Sequence, residues 1–112
     1  MYITITSLKL KNIWKFFSLA NHALSITKQL KKEQGFLNYK KTGIGLTHYT
    51  LSVWENLEDL KRFSKSGAHL NAMKISKDIA AEINTYTYES NDIPNWNAAK
   101  ELLEKNGKKL VL

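Results

Sequence analysis

Hydrophobic and polar residues repeat along the first third of this chain with two different periods. The first nine residues alternate, with Ile3 and Ile5 on one side and mostly polar residues on the other, which is typical of a β-strand. From about residue 12 to residue 32 the apolar residues recur at three- and four-residue steps, and Gly35 follows a lysine-rich last turn. This spacing predicts a long amphipathic helix.

The next segments favour a hairpin and a second helix. Residues 36–43 and 46–54 are rich in aromatic and β-branched residues and are separated by glycine, which predicts two strands. Asn56 is well placed to cap the following helix, because its side-chain oxygen can accept hydrogen bonds from the free amides of the first turn. Ser66 and Gly67 interrupt the apolar pattern, so we expect a kinked or two-piece helix.

The C-terminal part of the chain adds one strand and an appendage. Residues 83–90 alternate again and predict a fourth strand. Pro94 lies in a connector before a short helix at about residues 97–106, which Gly107 closes. The tail KKLVL predicts a fifth, short strand.

The order of these elements predicts the fold class. A β-α-β-β-α-β order indicates an α+β domain over residues 1–112 with a ferredoxin-like split βαβ arrangement: a four-stranded antiparallel sheet carrying two helices on one face. We expect the C-terminal helix and strand to pack on the edge of a sheet, their own or a partner's, because their leucines need burial. These leucines are Leu102, Leu103, Leu110 and Leu112.

Large aromatic side chains fall on both faces of the predicted sheet. In the third strand Tyr49 points away from the side that holds His48 and Trp54, and in the fourth strand Tyr86 and Tyr88 share one face. A sheet with aromatic residues on both sides is expected to be buried on both, and a chain of 112 residues offers no second layer. We therefore expect a homodimer in which two sheets meet face to face.

Composition excludes several classes of function. The chain has no cysteine, and no apolar run approaches the roughly 20 residues of a membrane span, so we expect a cytoplasmic protein with no membrane partner. The net charge of +7 invites nucleic acid as a partner, but only Arg62 among the 17 basic residues is an arginine. Because base reading and bidentate phosphate recognition depend on guanidinium groups, we expect no nucleic-acid binding.

Two runs carry a resemblance to a known family, TLSVWENLEDLKRFSKSGAHLNAM and TYTYESNDIPNWNAAKELLEKNG. They resemble a group of small uncharacterised bacterial proteins of the dimeric α/β barrel superfamily. Members of that group carry a serine and a tryptophan at the end of the third strand, a phenylalanine and a histidine in the second helix, and a proline before an alanine-containing helix that ends in glycine. Related families include antibiotic-biosynthesis, haem-degrading and spheroidene monooxygenases. The resemblance implies a dimeric α/β barrel.

The candidate ligand-pocket residues surround the second helix and the third strand. His69 matches the group's helix-two histidine, which in haem-handling relatives is an axial iron ligand; alternatively, it bonds a carbonyl at the helix break or packs beside Phe63. Trp54 either belongs to the core or walls a pocket for a flat substrate, and Met73 follows the bend. His48 lies on the mixed strand face, where it either contacts a ligand or lies at an interface or on the surface.

These residues leave two classes of function open. The first is a small monooxygenase-like enzyme that acts on an aromatic or haem-type substrate in a pocket between sheet and helices. It is expected to need no cofactor, with haem as the alternative. The second is a non-catalytic homodimer that binds a small ligand or serves as a scaffold. No paired carboxylates, glycine-rich phosphate loop or Ser-His-Asp spacing occurs, so no catalytic residue is assigned.

Overall fold

The chain folds around an antiparallel sheet. A computed structural model describes residues 1–65, 74 and 76–111, and the elements below are those of this part of the chain. The strands are β1 (Tyr2–Leu10), β2 (Phe36–Ile44), β3 (Thr47–Trp54), β4 (Ala80–Glu89) and β5 (Lys108–Val111). The helices are α1 (Phe16–Leu30), α2 (Leu57–Ser64) and α3 (Trp96–Asn106), and a 3₁₀ turn at Ile13–Lys15 precedes α1.

The strand order confirms the predicted topology. The sheet runs β2-β3-β1-β4-β5, and its first four strands have the ferredoxin-like order that the sequence predicts. All pairings are antiparallel, and β5 extends the sheet's own edge beside β4. The predicted break at Ser66 and Gly67 lies outside the described residues. No helix in the described part of the chain is long and apolar enough to cross a membrane.

Local signals in the sequence set the helix ends. Asn56 caps α2 by accepting a hydrogen bond from the Asp59 amide at 2.9 Å, as predicted. Asn95 caps α3 in the same way, and the Gly107 amide closes that helix by donating to the Leu103 carbonyl at 2.8 Å. These caps satisfy backbone groups that a helix end leaves unpaired.

One face of the sheet packs against α3. The core on this face consists of Ile3, Ile5, Leu51, Val53, Ala99 and Leu103. The expectation that a chain of this length has no second layer is therefore wrong, because α3 covers part of the face that was assigned to a partner. The chain's own sheet does not bury Leu110, which is 58% exposed on β5, so its burial against a partner stays a prediction, and Leu112 lies outside the described residues.

The opposite face of the sheet packs against α1 and α2. Its core consists of Leu30, Trp54 and Phe63, with half-buried Tyr2 and Tyr39 beside them. Strand alternation separates this second core from the first, since successive side chains point to opposite faces. The side of the sheet that faces α1 and α2 carries the candidate site described below.

Candidate functional site

A band of hydroxyl side chains crosses the sheet on the face that α1 and α2 cover. The strand register aligns these side chains in two neighbouring rows, and each row runs across β4, β1 and β3. We call these residues the hydroxyl band: Thr87, Thr4 and Ser52 in one row, and Thr85, Thr6 and Thr50 in the next. The rows continue onto β2 at Tyr39 and Lys41.

The threonines of the band contact one another across β1 and β4. The hydroxyl oxygens of Thr4 and Thr87 are 2.9 Å apart, and those of Thr6 and Thr85 are 3.2 Å apart. Thr85 and Thr87 are exposed, whereas Thr4 and Thr6 are half-buried. Since each hydroxyl can donate one hydrogen bond and accept two, each pair keeps capacity for a further partner.

One end of the band is closed by aromatic packing. Trp54 is 1% exposed, its ring centroid lies 5.3 Å from that of Phe63, and Phe36 packs against its other side at 5.8 Å. The Trp54 indole N–H donates to the Ser52 hydroxyl at 3.0 Å, which joins this packed cluster to the hydroxyl band. Trp54 and Phe63 thus fill the space at this end.

The other end of the band is marked by His48. The His48 ring is half-buried, and its centroid lies 5.5 Å from that of Phe16 at the start of α1. Its Nε2 lies 3.0 Å from the Gly45 carbonyl oxygen. Because a carbonyl can only accept, Nε2 is the donor in this contact, and Nδ1 is the ring nitrogen that does not take part in it.

Gly43 makes room for this histidine on the neighbouring strand. It pairs with His48 and has a φ angle of +149°. A Cβ atom at this position would lie 2.7 Å from the His48 Cα and 2.8 Å from its Nδ1. Only glycine permits this backbone and this approach.

Tyr39 is a further polar side chain at the band that sequence reasoning missed. It lies in the row of Ser52 and packs beside the Trp54 cluster. Burial raises the pKa of the Tyr39 phenol above its ordinary value of 10.0, so the phenol stays protonated and can donate a hydrogen bond near neutral pH. The signal that would have found it is the strand register, which brings β2 alongside Ser52.

The structure brings some of the predicted site residues together and separates others. Trp54 and Phe63 are in contact, whereas His48 lies six residues from Trp54 along β3, about 20 Å away. His69, with its predicted role as a haem ligand, and Met73 lie outside the described residues. Within the described ranges, no group of three histidine or carboxylate side chains could hold a metal ion.

A shallow cleft of about 250 Å³ opens where the end of α1 meets the start of β2. Thr27, Lys31 and Tyr39 are among the residues that line it. Tyr39 therefore borders both this cleft and the hydroxyl band, and it connects the band to solvent on the β2 side.

Comparison with known proteins identifies the family. The family model described as monooxygenase af470-like matches residues 1–89. No curated protein sequence matches the chain. Solved structures with this fold include a candidate antibiotic biosynthesis monooxygenase from Deinococcus radiodurans, with 17% identity, a TM-score of 0.74, and coverage of 85% of this chain and 97% of that one.

Two further structures extend this likeness. A candidate antibiotic biosynthesis monooxygenase from Nitrosomonas europaea has 16% identity and a TM-score of 0.74, and the match covers 82% of this chain and 100% of that one. A variant of SnoaB, a cofactor-independent oxygenase from Streptomyces nogalater, has 7% identity and a TM-score of 0.67, with coverage of 82% and 94%. At these identities the likeness shows the shared fold.

Proposed function

Because this chain belongs to the monooxygenase af470-like family, we propose that it is a small oxygenase that oxidises an electron-rich aromatic substrate on the hydroxyl band. The observation that carries the proposal is the band itself. Its hydroxyl groups lie on the sheet face that packs against α1 and α2, between Trp54 and Phe63 at one end and His48 and Phe16 at the other. Apolar walls with a few convergent polar groups are typical of sites for small aromatic ligands.

The polar groups of the band fit a phenolic substrate. The threonine hydroxyls and the protonated Tyr39 phenol can donate hydrogen bonds to an oxygen that gains negative charge. We assign the role of base to His48, since its hydrogen bond to Gly45 leaves Nδ1 free to accept the phenolic proton.

The proposed reaction needs dioxygen as its only co-reactant. With a naphthol, His48 takes the phenolic proton, and the naphtholate gives electrons to dioxygen as a C–O bond forms at the para carbon. The proton returns to give a hydroperoxide, and loss of water then leaves the quinone, so that both oxygen atoms of dioxygen are accounted for. The substrate itself supplies the electrons, and SnoaB, which shares the fold, is a cofactor-independent oxygenase.

The described residues support a haem cofactor less well than they support a cofactor-free reaction. His48 already directs Nε2 to the Gly45 carbonyl, and the other candidate ligand, His69, lies outside them. We therefore propose a cofactor-free reaction. We also propose that the active unit is a cytoplasmic homodimer, as the fold and the half-buried tyrosines on the α3 face suggest.

Removal of hydroxyl groups tests the assignment of the site. The double substitution Thr4→Val and Thr87→Val keeps the side-chain shape but removes one hydroxyl pair from the band. We expect it to weaken naphthol binding by about tenfold, since each lost hydrogen bond is worth roughly 1 kcal/mol. Binding and quinone formation would be followed by fluorescence and absorbance under air.

Thr42→Val is the matched control for this experiment. Thr42 is a half-buried threonine of the same sheet, but it pairs with Tyr49 and points to the opposite face. The control should bind naphthol like the unaltered protein. Equal losses in both variants would argue against the band as the site, and binding without any oxygen consumption would favour a non-catalytic ligand-binding protein.

A further inference from the structure

The net positive charge of the chain comes from its N-terminal half. Residues 1–54 hold eight lysines and one acidic residue, Glu33, whereas residues 55–112 hold nine basic and nine acidic residues. The whole net charge of +7 therefore comes from residues 1–54, which form β1, α1, β2, β3 and the segments between them. Such an asymmetry produces a directed field, which an even distribution of the same lysines would not produce.

Large apolar side chains are exposed in this same half. We call four of them, which lie on the 3₁₀ turn and α1, the apolar stripe: Ile13 (52% exposed), Trp14 (75%), Phe17 (69%) and Leu24 (60%). Single exposed apolar residues are common on proteins, but several on one face of the same helix indicate an interaction surface.

The members of the stripe lie on one segment of the chain, the 3₁₀ turn and α1. Phe17 and Leu24 are seven residues apart on α1 and so share its outer face, and Trp14 precedes Phe17 by three residues.

Lysines border the stripe on the same helix. Lys28 and Lys31 follow Leu24 by four and seven residues, so they continue its outer face toward the C-terminal end of α1. Both are exposed, and α1 itself contains no acidic residue. Exposed aromatic side chains with lysines nearby, on and just after the same helix, are features of helices that bind a membrane interface.

We propose that this protein docks on the surface of an anionic lipid bilayer through the apolar stripe and the lysines of α1. Trp14 and Phe17 enter the headgroup region, where indole and phenyl rings are favoured, and Lys28 and Lys31 contact lipid phosphates. Each lysine held close to an anionic surface strengthens association by roughly fivefold.

Charge favours an anionic bilayer over a second copy of this chain as the partner that binds this surface. Two copies that met through this surface would bring two lysine-rich faces together, and like charges at an interface oppose association. An anionic bilayer has the opposite charge. The proposal revises the expectation of no membrane partner, which considered only segments that span the bilayer, and it does not depend on the oxygenase activity.

Vesicle sedimentation tests the proposal with the full-length protein. We expect binding to vesicles of phosphatidylcholine mixed with phosphatidylglycerol, little binding to phosphatidylcholine alone, and weaker binding as salt is raised. Replacement of Trp14 and Phe17 by serine should weaken binding roughly tenfold or more. Lys28→Glu with Lys31→Glu should have a similar effect.

Leu110→Ser with Val111→Ser is the matched control, because these apolar residues of β5 are also exposed, at 58% and 73%. The control should sediment with vesicles like the unaltered protein, and each variant should keep a cooperative thermal transition. Equal binding to neutral and anionic vesicles, or an equal loss in the control, would overturn the proposal. So would a Trp14 and Phe17 variant that binds vesicles normally but loses an oligomer detected by light scattering.

Discussion

His48 is the residue on which the proposed chemistry depends most directly. Its Nε2 is held by the Gly45 carbonyl, so the residue presents Nδ1 as the acceptor. We expect His48→Ala to lower kcat for naphthol oxidation by about 10² to 10⁴, the usual contribution of a general base. Stability should change little, by about 0.5 to 1.5 kcal/mol, because one hydrogen bond of a half-buried side chain is lost.

A second measurement separates this role from a structural one. Quinone formation and the urea midpoint would be measured on the same preparation. If kcat is retained while the midpoint falls, His48 acts in the structure alone, and the proton must be taken by another group.

Tyr39 makes a separate prediction about alkaline pH. Burial raises the pKa of its phenol in the folded protein, so the unfolded chain loses this proton at a lower pH than the folded one does. The stability it contributes is therefore complete below about pH 10 and is lost as the pH rises through the folded pKa. Tyr39→Phe should flatten the fall in urea midpoint above pH 10, relative to a Tyr2→Phe control.

At the scale of elements, α3 is the appendage that completes the fold. Leu103 is 2% exposed and lies in the core beneath this helix, whereas Leu110 on β5 is 58% exposed. We expect Leu103→Ala to lower the free energy of unfolding by about 2 to 5 kcal/mol, and Leu110→Ala by less than about 0.5 kcal/mol. Equal effects in chemical denaturation would mean that α3 does not secure this face.

The elements also show which features of the fold can be predicted from the sequence. Alternation correctly placed Ile3 and Ile5 opposite the threonines of β1, and side-chain chemistry identified the Asn56 cap. Both are local signals, which depend on a few neighbouring residues. The packing of α3 on a sheet face could not be read in this way, because its apolar residues indicate burial without indicating the surface that receives them.

The candidate site was harder to predict for a related reason. The hydroxyl band exists only because four strands pair in one register, and a shift of one residue would turn each side chain to the other face. No single strand carries that information. Sequence reasoning missed Tyr39 for this reason. His48 and Trp54 could be selected as candidate site residues from their residue types alone.

At the scale of the whole molecule, we predict a homodimer formed through the α3 side of the sheet. Tyr86 and Tyr88 stack there with centroids 5.3 Å apart and remain only half-buried within one chain. Light scattering should give twice the chain mass of 12.9 kDa. Tyr86→Glu with Tyr88→Glu should give a monomer, because buried unpaired charges oppose association.

The neighbouring threonines provide the control for the dimer. Thr85→Glu with Thr87→Glu adds the same charge to the same strand, but on the opposite face. This variant should keep the mass of the unaltered protein. A monomeric mass for both variants would point to a general loss of folding, and a dimeric mass for both would exclude the tyrosine face as the interface.

The alternation of β1 has a consequence for how such a protein can evolve. Ile3 and Ile5 pack in the core, whereas Thr4 and Thr6 lie on the opposite face. Neighbouring positions of β1 are therefore under different selective constraints. Under the proposed function, substitutions in the band change ligand preference while the core keeps the fold. A randomised library at Thr4, Thr6, Thr85 and Thr87 should therefore retain a large folded fraction, and a lineage could move from one substrate to another without passing through unstable intermediates.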